Sequence, residues 1–261
     1  MSQPKQPDLK DVVLLKLFET PVIIYEWPDG KELADKLRDL VYKKMEASKG
    51  IIVSNVGGWH SEKGIENTWA DECVKELMQK IHLAKDEVIK RTVKNPTEAH
   101  FNNWQTETWA NVNWKNSFNA SHAHMVKDTV WSGIFYVETG DADSNSSYGG
   151  RTIFENRSMV PKEIINNKNP FENEFAVVPK KGLMVLFPAS LHHYVEKYTG
   201  DKKRITIAFN LKHKGFVIPD YSTLDDHKNE ITWMWKNFRG IMYLKSKATR
   251  VFKKLFNSTK Q

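Results

Sequence analysis

The chain has 261 residues, a net charge of +7, one cysteine, 40% hydrophobic residues and nine tryptophans. A chain of this size buries roughly 70–75% of its unfolded surface and needs no covalent staple. A lone Cys73 excludes an intramolecular disulfide framework and any multi-cysteine metal knuckle. Apolar runs such as Leu183–Phe187 fall far short of the roughly 20 residues of a membrane span, and the polar N-terminus has no signal-type stretch, so a cytoplasmic protein is expected. The charge is local: residues 241–261 carry Lys245, Lys247, Arg250, Lys253, Lys254 and Lys260 and no acid, leaving +1 for everything before them. A nearly neutral body argues against a nucleic-acid-binding face on the fold itself.

The chain divides into three zones, 1–100, 101–215 and 216–261. In the first, Val12–Phe18 and Pro21–Trp27 read as strands. Leu33, Leu37, Leu40, Val41 and Met45 predict a helix over 31–48, closed by Gly50. Ile51-Ile-Val53 reads as a short strand and Gly57–Ser61 as a loop. A second helix is predicted over 71–93 from the stripe Val74, Leu77, Met78, Ile81, Ala84, Val88 and Ile89.

The second zone is a succession of short β-patterned runs: 104–114, 117–126, 130–138, 151–155, 174–178, 183–187, 193–198 and 203–212. That many strands with no helical period between them predict a sandwich, jelly roll or barrel. The fold class is therefore mainly β with flanking helices. The third zone reads as a helical, basic extension with an apolar stripe of Ile231, Trp235, Phe238 and Met242. Three readings of its end stand side by side: a solvated amphipathic helix, a contact for nucleic acid or another acidic partner, and a helix lying on a membrane surface.

Three features carry chemistry. His122-Ala-His124 lies in a β-patterned run, where residues i and i+2 share a face about 6.6 Å apart and can converge on one metal ion. A pair of ordinary surface or pocket histidines fits the same pattern. His192-His193 follows an apolar strand and Pro188. Arg204-Ile-Thr206 opens a strand whose Arg204, Thr206, Ala208 and Asn210 share one face. A guanidinium on an apolar strand needs an anion, either a ligand or a structural carboxylate.

Taken in order, the elements are Trp109-Ala-Asn111-Val-Asn113, His122-Ala-His124, Ser132-Gly133-Ile-Phe-Tyr136, Phe187-Pro188-Ala-Ser-Leu-His-His193 and Arg204-Ile-Thr206-Ile-Ala-Phe-Asn210. With Gly149-Gly-Arg-Thr-Ile-Phe154 and Ser54–Ser61, they resemble the iron(II)- and 2-oxoglutarate-dependent oxygenases, over about 12–212. The resemblance implies a double-stranded β-helix, a jelly-roll relative with a metal at one open end. It implies Fe(II) held by His122, His124 and His193, with the Phe-Pro-x-x-x-x-His spacing selecting His193 over His192. It implies 2-oxoglutarate as co-substrate, its distal carboxylate on Arg204 with Thr206, and O2 as oxidant. Tyr136, Asn113 and Asn119 are weaker co-substrate or pocket residues, equally ordinary as satisfied core polar groups.

One departure stands out. Most of that superfamily has an acid where this chain has His124. Three readings remain open: a three-histidine site, a site in which water or halide takes the position, and a site completed by Asp128 or Glu138. The resemblance implies a dioxygenase, a hydroxylase first, with a non-redox metal-binding jelly roll and a tail-driven binder as alternatives. Trp59, His60, Trp104, Trp109 and Trp114 are candidate pocket walls, although Trp104 and Trp114 alternate with Trp109. Glu107, Trp109, Asn111 and Asn113 share a face, taken as the inward one. The N-terminal strands and helices offer a surface for a homodimer.

Overall fold

The computed structural model describes residues 20–126, 128–142, 147–157 and 174–215. The expected strand over 12–18 and the basic extension from 216 lie outside the described residues.

β1 (Ile23–Glu26) leads into α1 (Gly30–Ala47), where Leu33, Leu37 and Val41 recur on one buried stripe. Two-residue strands β2 (Asn55–Val56) and β3 (Trp59–His60) follow, then α2 (Ile65–Thr68), α3 (Glu72–Thr92) and α4 (Glu98–Phe101). The Asp71 carboxylate accepts from the Cys73 amide at 3.0 Å and caps α3. The β zone holds β4 (Trp104–Asn113), β5 (Phe118–His122), β6 (Thr129–Glu138), β7 (Thr152–Glu155), β8 (Glu174–Val177), β9 (Leu183–Pro188), β10 (His193–Val195) and β11 (Arg204–His213).

The strands form two antiparallel sheets. The larger runs β1-β9-β6-β11-β4-β3 and the smaller β2-β5-β10-β7-β8. Parity sorts the residues of the larger sheet. Ala110 and Val112 of β4, Phe135 and Val137 of β6, Met184 and Leu186 of β9, and Ile205, Ile207, Phe209 and Leu211 of β11 pack with the apolar stripes of α1 and α3. Their neighbours Trp109, Ile134, Tyr136, Val185, Phe187 and Ala208 form a second cluster with Phe154 and Val177 of the smaller sheet. Both faces of the central strands are thus buried, which explains their near-continuous apolar runs. Gly133 of β6 is required by this closeness: a Cβ there would lie 2.3 Å from Cζ of Phe209.

The mainly β, jelly-roll architecture follows expectation, and all eight predicted runs of the β zone contain a strand. Two local expectations are corrected. Residues 51–53 are not a strand, and the expected loop contains β3. Ile52 is 88% exposed, so its side chain has no sheet face to pack on, whereas Trp59 and His60 are buried opposite Val112 and Asn111. Gly50, Gly57 and Gly58 all have positive φ, which turns the chain on both sides of β2. Second, β5 stops at His122, so His124 is not on a strand. Its amide donates to the carbonyl of Ala189 at 2.8 Å instead.

Candidate active site

His193 stands opposite His122 in the β10–β5 ladder and opposite Phe154 in the β10–β7 ladder. The loop leaving β5 folds His124 back over the same point. Candidate ligand atoms of His122, His124 and His193 all lie within 4.8 Å of one another. Nε2 of His124 and Nε2 of His193 are 3.3 Å apart. Two adjacent ligands on one first-row ion, with metal–nitrogen bonds of about 2.0–2.1 Å, need a separation of that order.

The protons are placed for the same purpose. Nδ1 of His122 is 2.7 Å from the carbonyl of Ala120, and Nδ1 of His193 is 3.0 Å from the carbonyl of Leu191. A carbonyl only accepts, so each Nδ1 donates and each Nε2 keeps its lone pair. Burial, reinforced by the imidazoles of His193 and His122, lowers His124 to about 3. Burial and then His122 lower His193 to about 4, and burial also lowers His122. All three rings are neutral near pH 7, the form that ligates. The donor set fits a divalent transition metal.

The carboxylates considered as substitutes for His124 are elsewhere. Glu138 lies 3.6 Å from Lys181 and 4.0 Å from Arg38, and neither it nor Asp128 joins the histidine cluster. His192 also lies outside it.

The cluster opens on a cavity of about 490 Å³ between the sheets. Arg204, Thr206, Ala208 and Asn210, one face of β11, all line it, as do Asn119 and the three histidines. Arg204 is 1% exposed. Its Nη1 donates to Oδ1 of Asn113 at 3.0 Å and its Nη2 reaches Oγ1 of Thr152 at 3.5 Å. Its Nε has no partner, and among the described residues no acidic side chain pairs with it. Burial pulls the guanidinium below the usual arginine value, with Tyr136 and Tyr198 opposing the shift. A buried cation with an idle donor is costly unless an anion completes it. The site fits a carboxylate.

Asn113 and Tyr136 are placed one layer behind. Asn113 bridges Arg204 and Oδ1 of Asn119, the latter at 3.3 Å. The Tyr136 ring lies 5.4 Å from the guanidinium carbon, and its hydroxyl donates to Thr152 at 2.9 Å. Of the aromatic candidates, Trp109 and His60 line the cavity, stacked at 6.0 Å. Trp59 belongs to the outer core and donates to the Ser48 carbonyl, Trp104 packs on His213, and Trp114 is exposed. Asn111, expected on the inward face, lines the cavity, and so do Thr152 and Lys63, which the sequence does not mark as site residues. Thr152 lies within the Gly149–Phe154 motif and Asn111 within the Asn-x-Asn motif, which were their available signals.

Residues 107–210 match the family model described as "Putative 2OG-Fe(II) oxygenase". No curated protein matches the chain in sequence. Among solved structures, a Pseudomonas putida prolyl-4-hydroxylase shares the fold at 14% identity and TM-score 0.51, over 75% of this chain and 93% of that one. The carbocyclase SnoK from nogalamycin biosynthesis shares it at 9% identity and TM-score 0.52, over 75% and 80%. A Trichoplax adhaerens prolyl hydroxylase, in complex with a hypoxia inducible factor peptide fragment, shares it at 13% identity and TM-score 0.50, over 74% and 84%. The family match over residues 107–210, the shared jelly-roll fold and the HxH…H cluster carried by the matched residues make this chain similar to the 2OG-Fe(II) oxygenases.

Proposed function

We propose that the chain is an Fe(II)- and 2-oxoglutarate-dependent dioxygenase that hydroxylates its prime substrate. One observation carries the reading: the buried Arg204 guanidinium, with its unpartnered Nε, shares a cavity with three converging imidazoles. His122, His124 and His193 would hold the iron, and Arg204, with Thr206, the distal carboxylate of 2-oxoglutarate. When bound, iron and 2-oxoglutarate supply oxygen activation coupled to decarboxylation to succinate.

The residues of the chain do the positioning. The Ala120 and Leu191 carbonyls hold two of the rings by their Nδ1 protons. Asn113 and Thr152 fix the plane of the Arg204 fork, which suits two-point contact with a carboxylate. Asn119 steadies Asn113 and itself reaches Ser54 Oγ at 3.3 Å. Trp109, Phe187 and Ile134 keep the cavity wall apolar and dry. His124 presents Nε2 within the cluster, which supports a three-histidine site over one with a halide in that position, and hydroxyl transfer over halogenation.

The test is an anaerobic titration of metal-replete protein. Fe(II) with 2-oxoglutarate should give a visible metal-to-ligand charge-transfer band, and admitting air should yield succinate. A protein that binds iron yet gives neither band nor succinate is a non-redox metal binder, and the reading fails.

A further inference from the structure

Resting on that reading, we infer that the prime substrate is an anion, a carboxylic acid with an apolar body, and that Lys63 meets its carboxylate. Among the described residues, the side chains lining the cavity carry two formal charges, Arg204 in its floor and Lys63 in its wall, both positive. None of the described residues that line it is Asp or Glu. The two carboxylates of the co-substrate would offset two of the three positive charges of Fe(II) and Arg204, since the three imidazoles are neutral. Lys63 is left over.

Its local pairing does not cancel it. The ammonium of Lys63 lies 3.1 Å from Oε2 of Glu107, but Oε1 of the same carboxylate is 2.9 Å from Lys212. Asn210 Nδ2 also donates to Glu107 Oε2, at 3.3 Å. One carboxylate therefore faces two ammonium groups, and a unit of positive charge remains beside the cavity. Lys63 also sits 5.1 Å from the ring centre of Trp109, whose other neighbours are His60 and His124. That places the charge within one aromatic ring of the histidine cluster. Its side chain is 42% exposed, so it can turn to a ligand without breaking a buried contact.

The rest of the lining supplies the apolar part. Val53 and Val126, more than half exposed, reach both the cavity and solvent, and Ile134, Phe187 and Val195 line it further. A cationic substrate, such as a lysine side chain or a polyamine, would meet the like charge of Lys63, and the Glu107 carboxylate beside it is already shared by Lys63 and Lys212.

The probes are hexanoate, hexylamine and 1-hexanol, added anaerobically to full-length protein loaded with Fe(II) and 2-oxoglutarate. Binding is read by saturation-transfer NMR on the Zn(II)-substituted complex and by perturbation of the visible band of the Fe(II) complex. Hexanoate should bind at least about tenfold more tightly than hexylamine. Lys63→Ala should cost hexanoate about tenfold, Lys63→Arg should restore most of it, and 2-oxoglutarate affinity should be unchanged in both. Hexylamine binding as well as hexanoate, hexanoate binding indifferent to Lys63→Ala, binding of neither, or hexanoate that merely displaces 2-oxoglutarate and erases the band would each overturn the inference. Absence of the band before any probe is added is a separate failure, that of the dioxygenase reading.

Discussion

Arg204 and Asn113 face each other across the β11–β4 ladder, and Nη1 of the arginine donates to Oδ1 of the asparagine at 3.0 Å. On the proposed function, the pairing would turn strand register into ligand recognition. Asn113 cannot replace a counter-ion, but it fixes which edge of the guanidinium is left for one. Asn113→Ala removes a buried hydrogen bond to a charged group, worth about 1.5–3 kcal/mol. The expected result is 2-oxoglutarate affinity lower by roughly 10–100-fold, with Fe(II) or Zn(II) binding retained. Arg204→Ala should abolish co-substrate binding at millimolar concentration and spare the metal. Calorimetric titration of each ligand separates the two effects. A variant that loses both together would mean that the pair is structural.

The adjacent histidines 192 and 193 give a sharper test. His193 lies in the cluster and is 6% exposed; His192 lies outside it, with a buried Nδ1 that has no partner. Removing an orienting partner of a ligand costs about 10–100-fold in metal affinity, so removing the ligand itself should cost at least about 100-fold. His193→Ala should therefore purify without stoichiometric metal, while His192→Ala should retain it. Metal content by mass spectrometry, after loading and desalting, decides between them.

Much of this is legible in the sequence. β4, β6, β9 and β11 are readable because each is long or strongly apolar, and along each of them alternate residues share a face. The same parity put Arg204, Thr206, Ala208 and Asn210 on one face, and all four line the cavity. The ring convergence was legible only as a motif. The strand argument for His122 and His124 does not describe how they meet, because β5 ends at His122 and the following loop carries His124 back. β2 and β3 are two residues each, too short for any period. Trp59 and Trp109 are chemically identical, and their opposite fates are set by β3–β4 pairing and strand order, which no local pattern encodes. The same holds for the meeting of Asn113 with Arg204, 91 residues apart.

His124 is where this site departs from the acid-containing pattern. A neutral third ligand leaves one more unit of positive charge at the metal than a carboxylate would. His124→Asp should keep near-stoichiometric metal, since a carboxylate is also a competent ligand. Activity should be reduced but detectable, because the shorter side chain must reach from a loop rather than a strand. Metal analysis with a succinate assay under air checks this. His124→Asp that holds no metal would show that the loop geometry tolerates imidazole alone.

Outside the cavity, one ion pair fixes the strand that carries His193. Arg151 donates from Nε to Oε2 of Glu196 at 2.8 Å and from Nη2 to Oε1 at 2.7 Å. Arg151 precedes β7 and Glu196 follows β10, so the fork clamps these two strands at one end. The Arg151 hydrogen bond holds the Glu196 carboxyl below its ordinary 4.5. A carboxyl with a depressed folded value is charged in the fold at pH values where the unfolded chain has begun to take up protons. The unfolded state then binds more protons, so stability rises with pH across that window and is lost as pH falls through the folded value. The guanidinium is 42% exposed, and solvent screening limits a two-point pair of this kind to about 0.5–1 kcal/mol. Glu196→Gln should therefore lower unfolding free energy by that amount at pH 7. The deficit should shrink below pH 4.5 and vanish once the wild-type carboxyl is protonated. Urea denaturation of both proteins at pH 7, 4.5 and 3 measures it, and a deficit independent of pH would assign the effect to packing rather than charge.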